Sequence, residues 1–526
     1  MILTKWFHFL LLTSIVIAGC EGRAIPATQP PTATTVRVVQ AAPFPTAAPL
    51  QPTVERAIQA IEASPVPTAE TPMGCVEEAT IPLHTVEATL DYTAHTVAVQ
   101  QRTRTINTTG SALMSVVFMI EPNRYPGIFT LEGVNTVDGD APTVAAYELT
   151  GRRLDVELTS PLDMGCALAL QLDFRLNITP IGQVLSATSG YLGYSARQFN
   201  LGLWLPTVAV YRDGAWQTPD PALVGEPMVY GIADWDVSLH VTNAPPDLIA
   251  AAPGTVVQVD AERWRIRHNA AREVTISLSP DYRVASAQTE GGVTVEAYTF
   301  NDALVNSENV PVDGAAHLLE VATEALGMYA DLFGAYPYDR FVIIQADFRD
   351  GMEFSDLVFV GGEWFRTFPG SPASYLTIIT VHEVAHQWWY ARVGNDQALT
   401  PWLDEALATY SEYIYYEEYH PELKDWWWTF RVDTFLPRDY DAKPVNSSVY
   451  EFTSAREYIN AVYLRGARML HQLRAELGTD AFFDWLRRYA DSGAGRVVSE
   501  ADFWSLLSPA QREATAATRM QYTTGT

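Results

Sequence analysis

The sequence predicts a multidomain α+β protein in which an all-β domain precedes a domain that changes from mixed α/β to helical structure. Residues 76–280 contain short alternating or apolar segments, such as 85–90, separated by turn residues. This pattern is typical of strands in a saddle-shaped or sandwich-like sheet assembly. Further along, apolar residues recur at helical spacing, first over 312–333 and then over 374–507. The two patterns predict a β domain followed by a domain rich in helices.

The first twenty residues predict export from the cytoplasm. Lys5 precedes an apolar run, residues 6–18, which is too short to span a bilayer comfortably and fits the core of a signal peptide. The run ends in Ile-Ala-Gly-Cys at 17–20, which resembles the lipobox of bacterial lipoproteins. The resemblance implies that residues 1–20 are a lipoprotein signal, that Cys20 is lipidated and that the protein is anchored to the outer face of the bacterial membrane. The alternative is an ordinary secretory signal with a coincidental cysteine.

Composition then divides the rest of the chain. Residues 21–74 are dominated by Pro, Thr and Ala, a composition that buries little apolar surface and favours an extended linker. We expect the β domain over 75–282, the second domain over 283–510 and a tail over 511–526.

Two cysteines remain after Cys20, namely Cys75 and Cys166. Because an exported protein folds in an oxidising compartment, these two residues predict one disulfide between the start of the β domain and a later strand. Two unpaired buried thiols are the alternative.

The charge of the chain excludes one class of partner. The formal net charge is −28 and the pI is about 4.7. Binding to nucleic acid requires an excess of cations that displace counterions from phosphates, and this chain has no such excess. We therefore expect no nucleic-acid partner.

A metal-binding pattern, His-Glu-x-x-His, lies inside one of the predicted helices. Its histidines are His382 and His386. Residues four apart on a helix lie about 40° apart around the axis, so both imidazoles leave the same face and can bind one Zn²⁺. Glu383 follows the first histidine directly, where it can act as a general base on water without being a ligand. Each residue alone could equally be a surface charge or a core histidine.

A third ligand is expected because a catalytic zinc ion takes three protein ligands and keeps one position open. Eighteen residues separate His386 from Glu405, which begins a second predicted helix after Thr400 and Pro401. The spacing leaves a loop long enough to reverse the chain. The sequence therefore predicts one Zn²⁺ per chain, held by both histidines and this glutamate.

The complete pattern resembles that of the gluzincins, and this instance is similar to the aminopeptidase N family. In that family the segment around the third ligand reads Trp-Leu-Asn-Glu-Gly, whereas residues 402–406 read Trp-Leu-Asp-Glu-Ala. The resemblance implies a thermolysin-like catalytic domain after a saddle-like β domain. It also implies a chain that lacks the large C-terminal helical domain of many members, and hence a more open active site.

A second family motif, Gly-x-Met-Glu-Asn, carries the glutamate that binds the free amino group of the substrate. Here the corresponding residues are Gly351, Met352 and Glu353. Asp350 stands where the family has its first Gly and Phe354 where it has Asn, so strict recognition of the amino terminus is in question. An exposed loop glutamate is the alternative reading.

A third motif of the family, Tyr-x-Lys-Gly, has a tyrosine that stabilises the oxyanion. This chain has Tyr463 followed by Arg465 in place of the lysine. A phenol stays protonated at neutral pH and can donate a hydrogen bond to an oxyanion. A buried helical aromatic is the alternative. Tyr458 is expected to line the substrate pocket.

Together these motifs predict a zinc metallopeptidase that removes N-terminal residues from peptides. Three other functions stay open: an endopeptidase or broader metallohydrolase on the same site, an inactive zinc-binding surface lipoprotein, and an epoxide hydrolase similar to leukotriene hydrolase.

Overall fold

The structure is a computed structural model. It describes four stretches of the chain, namely residues 81–137, 142–182, 190–437 and 441–525. The predicted signal, the predicted linker, Cys20 and Cys75 lie outside these residues. Cys166 is disulfide-bonded.

The first half of the described chain is a β domain. Its largest sheet has the order β15-β16-β13-β1-β2-β7-β4, and two four-stranded sheets have the orders β10-β3-β6-β5 and β14-β17-β9-β8. The strands are β1 (Leu83–Asp91), β2 (Thr96–Ile106), β3 (Leu113–Met119), β4 (Phe129–Thr136), β5 (Val144–Thr150), β6 (Arg153–Leu162), β7 (Ala167–Asn177), β8 (Leu192–Tyr194), β9 (Phe199–Leu201), β10 (Thr207–Val208), β11 (Val210–Arg212), β12 (Ala215–Gln217), β13 (Ala233–Thr242), β14 (Ile249–Ala251), β15 (Thr255–Asp260), β16 (Arg263–Ala271) and β17 (Ile276–Ser279).

Alternation along the strands explains how the large sheet buries one face. In β1 the side chains of Val86, Ala88 and Leu90 are buried, whereas Glu87 and Thr89 between them are exposed. Successive strand residues point to opposite faces, so a period of two places the apolar residues on one side. The inner face packs against the smaller sheets and the outer face contacts solvent.

A five-stranded sheet begins the other half of the described chain, with the order β18-β19-β20-β22-β21. Strands β19, β20 and β22 run parallel, and β21 is an antiparallel edge strand. The bounds are β18 (Arg283–Gln288), β19 (Thr294–Thr299), β20 (Arg340–Ala346), β21 (Gly351–Phe354) and β22 (Leu357–Gly361), and a short pair is formed by β23 (Gly394–Asn395) and β24 (Val497–Val498).

This sheet separates two hydrophobic cores. Phe341 and Ile343 of β20 belong to the core under the helices, whereas Val342 and Ile344 belong to the core of the β domain. Both faces are covered, which explains why the strand reads as a continuous apolar run rather than an alternating one.

Helices cover the other face of the sheet and make up most of the remaining chain. The helices are α1 (Gly314–Phe333), α2 (Gly362–Arg366), α3 (Tyr375–Ala385), α4 (Trp402–Tyr419), α5 (Lys424–Trp427), α6 (Ala455–Tyr458), α7 (Arg465–Leu477), α8 (Thr479–Ser492), α9 (Glu500–Ser505), α10 (Pro509–Ala514) and α11 (Ala516–Tyr522). Segments of π-helix lie at Gln387–Arg392, Trp428–Asp433 and Ile459–Leu464. Short 3-10 turns lie at Glu121–Arg124, Asn301–Leu304, Pro421–Leu423 and Val449–Glu451.

The predicted tail over 511–526 is not a tail in the structure. The end of α10 and the whole of α11 fall within it, and both helices pack against α7. The backbone N–H of Val445 donates to the carbonyl of Tyr522, and the guanidinium of Arg465 lies 5.3 Å from the centre of the Tyr522 ring. These tertiary contacts stabilise helices that are too short to be stable alone.

In the described residues, no helix has the length and apolar character that crossing a membrane requires.

One buried arginine joins the two halves of the molecule. The side chain of Arg272 is 1% exposed and donates to the backbone carbonyls of Tyr230, Tyr390 and Arg496. The first of these carbonyls belongs to the β domain and the other two to the helical half. Such carbonyls are costly to leave unpaired when water is excluded.

We therefore expect Arg272→Ala to destabilise the protein by about 3–5 kcal/mol, since it removes three donors and opens a cavity. Urea denaturation followed by circular dichroism measures the change. The matched control is Arg263→Ala, because that side chain is 57% exposed and makes a surface ion pair with Asp260; its effect should stay below about 1 kcal/mol. Equal midpoints for the two variants would contradict the joining role of Arg272.

Candidate active site

Helix α3 carries the two histidines of the sequence motif. Its N-terminus is capped by Ser374, whose side chain accepts a hydrogen bond from the N–H of Thr377. The helix ends next to His386, which keeps a right-handed helical conformation. His382 and His386 therefore project from one face, and the centres of their rings are 4.8 Å apart.

Glu405 joins these histidines from the first turn of α4, which packs beside α3. Its Oε2 lies 3.2 Å from Nε2 of His382 and 3.7 Å from Nε2 of His386. Ligands about 2.0–2.2 Å from a tetrahedral ion lie roughly 3.3 Å from one another. The three atoms are therefore spaced as ligands of a single Zn²⁺.

The other ring nitrogens are held by carboxylates. Nδ1 of His382 is 2.9 Å from Oε1 of Glu412, and Nδ1 of His386 is 2.6 Å from Oδ1 of Asp404. A carboxylate at Nδ1 keeps the proton there, which fixes the ring orientation and leaves Nε2 as the ligand atom. This arrangement is the one expected around a zinc-binding histidine.

The two carboxylates are themselves anchored. Arg431 donates to both oxygens of Glu412 at 2.9 Å, and the indole of Trp427 donates to it at 3.1 Å. The amide of Gln397 donates to Oδ2 of Asp404 at 2.5 Å. The surrounding residues thus immobilise both histidines.

These contacts shift the pKa values of His382 and Glu405. Burial lowers the pKa of His382, but hydrogen bonds to Glu405 and Glu412 outweigh it and the net shift is upward. Burial raises the pKa of Glu405, but the contact with His382 and the charge of His386 outweigh it and the net shift is downward. Glu405 is thus held as the carboxylate that a metal ion prefers.

Glu383 lies beside the three candidate ligands. Its carboxylate is buried, and its Oε2 has no hydrogen-bond partner among the described residues. Burial raises the pKa of Glu383 to about 8, although the two histidines lower it. Its buried carboxyl group lies where it could exchange a proton with water next to the candidate ligands.

Gly351 permits the position of that carboxylate. A Cβ atom built on Gly351 would lie 2.1 Å from Oε1 of Glu383, far inside contact distance. Because Gly351 has no side chain, the carboxylate of Glu383 can pack against the backbone of the edge strand β21.

Strand β21 also brings Glu353 to the site. One carboxylate oxygen of this buried residue lies within 4.8 Å of the possible metal-ligand atoms of Glu383 and His386. The amide of Gln397 approaches its Oε1 at 3.4 Å. Burial raises the pKa of Glu353 well above its ordinary value. The side chain is neither exposed nor in a free loop.

Two tyrosines, Tyr458 and Tyr463, lie next to the candidate ligands. The ring of Tyr463 is stacked with that of His382, with ring centres 5.9 Å apart, and Tyr458 meets Tyr463 edge-on at 5.5 Å. Burial and the charge of Glu405 raise the pKa of Tyr463 well above its ordinary value. Its hydroxyl therefore remains a hydrogen-bond donor.

The predicted site residues line one cavity of about 700 Å³. It is lined by His382, Glu383, His386, Glu405, Gly351, Met352, Glu353, Tyr458 and Tyr463. The structure thus brings together every site residue predicted for catalysis, metal binding and substrate binding.

Sequence reasoning missed several residues of the site. Glu412 lies seven positions after Glu405 on the same helix, so helical spacing would have placed it on the same face. Glu226 also lines the cavity, but it comes from a loop of the β domain and no local pattern marks it. Arg124 lines the cavity from the same domain.

The helical half is similar to known proteins. Residues 317–521 match the model of the peptidase family M1 domain. Human endoplasmic reticulum aminopeptidase 1 is 29% identical over 261 residues, which is 45% of this chain and 26% of the relative. Aminopeptidase N of Lactococcus lactis subsp. lactis is 28% identical over 244 residues, 43% of this chain and 27% of the relative. The chain spans about a quarter of the length of these relatives.

Solved structures share the whole two-domain fold. The M1 zinc metallopeptidase of Deinococcus radiodurans superposes with a TM-score of 0.59 at 18% identity, covering 85% of this chain and 95% of that one. A mutant of that enzyme bound to a Tyr-Ser-Ala substrate gives the same TM-score at 19% identity, with 85% and 94% covered. Residues 317–521 thus match the M1 peptidase domain, and the described fold resembles that of a two-domain M1 zinc metallopeptidase.

Proposed function

We propose that the protein is a zinc-dependent aminopeptidase that hydrolyses the first peptide bond of its substrates. The observation that carries the proposal is the convergence of His382, His386 and Glu405 at distances that suit one Zn²⁺, with Glu383 beside them. The relatives named as aminopeptidases and the substrate-bound neighbour support it.

The residues of the site have distinct roles in this reaction. His382, His386 and Glu405 would hold the Zn²⁺, which would supply the Lewis acid for activating water and polarising a carbonyl. Glu383 accepts the proton of the attacking water and then passes it to the leaving amine. Tyr463 donates its hydroxyl proton in a hydrogen bond to the oxyanion that develops on the substrate. Glu353 accepts hydrogen bonds from the substrate's α-ammonium, which sets cleavage one residue from the amino terminus.

The alternative functions would use different residues of the same cavity. An endopeptidase or a broader metallohydrolase would use the metal and Glu383 but would not require a free amine. An inactive zinc-binding protein would have no use for Glu383 or Tyr463. Substrates with free and with blocked amines distinguish these functions.

We expect Glu383→Gln to lower kcat by about 10²–10⁴-fold while zinc content stays at one ion per chain, because the amide cannot accept the proton. The measurements are release of amino acids from a mixed set of aminoacyl reporters, with and without chelator, and metal analysis of the same samples. Glu513→Gln, a change in an exposed residue that does not line the cavity, is the control. Retained hydrolysis in Glu383→Gln would remove the base assignment, and no hydrolysis by the zinc-loaded parent would support the inactive alternative.

The contact between Glu412 and His382 gives a second expectation. Glu412→Gln removes the charge that holds the Nδ1 proton, so we expect zinc affinity to fall by about 10–100-fold. Competition with a chromogenic chelator measures this affinity. Glu418→Gln, a charge-matched change of an exposed residue on the same helix, should bind zinc as the parent does. If Glu412→Gln kept the parent's affinity, the carboxylate would have no part in holding the ligand.

We further propose that the protein is a lipoprotein anchored to the outer face of the bacterial membrane. The proposal rests on the apolar run over 6–18 and on the Ile-Ala-Gly-Cys segment that ends at Cys20. A lipid on the new N-terminus would let residues 21–74 act as a tether between the membrane and the peptidase.

If this is correct, Cys20→Ser will abolish incorporation of labelled palmitate and release the protein from the membrane fraction, since serine offers no thiol for the lipid. Fractionation of bacterial cells with metabolic labelling measures both effects. Cys166→Ser serves as the control, because that residue is disulfide-bonded in the β domain. An unlabelled parent protein in the culture medium would instead indicate an ordinary secretory signal.

A further inference from the structure

An aspartate that the proposed reaction does not use lines the cavity beside the catalytic residues. Asp350 immediately precedes strand β21, and it lines the cavity together with Gly351, Glu353 and Glu383. The aminopeptidase N motif has glycine at this position, so a side chain here is a feature of this chain. The cavity wall therefore carries one carboxylate to which the reaction assigns no role.

The backbone of Asp350 is held in a left-handed conformation. Its φ angle is +64°, which favours glycine, although aspartate tolerates it better than most residues. The N–H donates to Oε1 of Glu363 at 2.9 Å, and the carbonyl accepts from the N–H of Gly361 at 2.7 Å and from the indole of Trp364 at 3.2 Å. Three hydrogen bonds thus fix the position from which the carboxyl group projects, and the side chain is present where glycine would be less strained.

The side-chain carboxylate of Asp350 makes no hydrogen bond or ion pair within the described part of the chain. Arg349 also lines the cavity but is not paired with it, and Arg431 donates both of its bonds to Glu412. The residue is exposed, yet neighbouring atoms desolvate its carboxyl group enough to raise its pKa, although the charges of Arg349 and Arg431 lower it. A partly desolvated carboxylate without a fixed cation is suited to a cation that arrives with a ligand.

The order of residues along β21 matches the order of groups along a bound peptide. In the proposed reaction Glu353 binds the α-ammonium, and Glu383, which packs against Gly351, acts at the scissile bond. A peptide that passes from Glu353 to Glu383 continues toward Asp350. Consecutive strand residues are about 3.3 Å apart, so the chain from Glu353 to Asp350 spans roughly 10 Å. The aspartate is thus placed on the leaving-group side of the scissile bond, beside the second residue of the substrate.

We propose that Asp350 makes the site selective for peptides whose second residue has a cationic side chain, lysine or arginine. A carboxylate attracts an ammonium or guanidinium group and repels an acidic side chain. Glu353 and Glu383 are already engaged by the α-ammonium and the attacking water, which leaves Asp350 for the side chain that follows the scissile bond. Asp350 is a specificity determinant, since it touches the leaving group and takes no part in bond cleavage.

This inference rests on the proposed function, because a second residue is defined only when the first peptide bond is the one cleaved. It deepens that function by naming the chemical class of the preferred substrate. Arg349 on the same wall would favour an acidic second residue instead, so the sign of the preference tells which of the two neighbours meets the substrate.

The test compares ligands that differ by one charged group. Norleucine is lysine without its ammonium, so alanyl-lysine amide and alanyl-norleucine amide share the amine, the side-chain stem and a neutral carboxyl end. Isothermal titration calorimetry on the zinc-loaded Glu383→Gln protein gives Kd for each. We expect the lysine peptide to bind about 5–10-fold more tightly at low salt, and this preference to shrink at about 0.5 M salt, where charges are screened.

Two substitutions at Asp350 remove the charge without straining the backbone. Asp350→Asn keeps the shape of the side chain, and Asp350→Gly suits the left-handed φ angle, so both proteins should fold. Each should reduce the preference for lysine to less than about twofold and leave Kd for the norleucine peptide within about twofold. Asp339→Asn, a change of an exposed residue outside the cavity, should keep the parent's preference. In the otherwise unchanged enzyme, kcat/KM for hydrolysis of the two amides should follow the same pattern.

A parent that binds the two amides equally, or that prefers alanyl-glutamate amide, would overturn the proposal. So would Asp350 variants that retain the preference for lysine or that weaken both peptides to the same extent. A zinc-loaded parent that binds the lysine peptide selectively but hydrolyses neither amide would contradict the proposed function and not the selectivity.

Discussion

Buried carboxylates crowd around two imidazoles at the centre of this molecule. Glu353, Glu383, Glu405 and Glu412 are each no more than 8% exposed. Placing an ionised carboxylate inside a protein costs several kcal/mol unless charge nearby compensates it. Arg431 compensates Glu412, whereas the other three form no ion pair with an arginine or lysine among the described residues. A divalent ion between the ligands would offset that cost, which couples metal binding to the stability of the site.

The positions of these carboxylates follow from rigid elements. Glu383 and Glu405 lie on α3 and α4, which pack together, and Glu353 lies on β21 at the edge of a sheet covered on both faces. Groups on packed helices and strands are held more accurately than groups on loops. Glu226 is the exception, and the buried guanidinium of Arg152 supports its loop by donating to two loop carbonyls.

The two histidines among the candidate zinc ligands were predictable because their geometry is local, whereas Glu405 was predicted from its spacing after His386. Two histidines four apart on a helix must share a face, and His382 and His386 do so. Glu226 was not predicted because only tertiary contacts bring it to the site. The helical end of the chain, α11, was missed for a related reason: short helices depend on packing that no periodicity reveals. The outlines of both domains were predictable, since patterns of two and of 3.6 residues persist over many elements.

The five-stranded sheet, which separates the two hydrophobic cores, also determines how much of the chain the catalytic unit includes. The segment that matches the M1 domain, residues 317–521, contains β20 and β22 but lacks β19, which pairs with β20, and β18, which pairs with β19. Val342 and Ile344 of β20 pack into the core of the β domain, so the segment alone would expose one apolar face of its sheet. The β domain therefore covers one face of this sheet and also supplies the wall that carries Glu226.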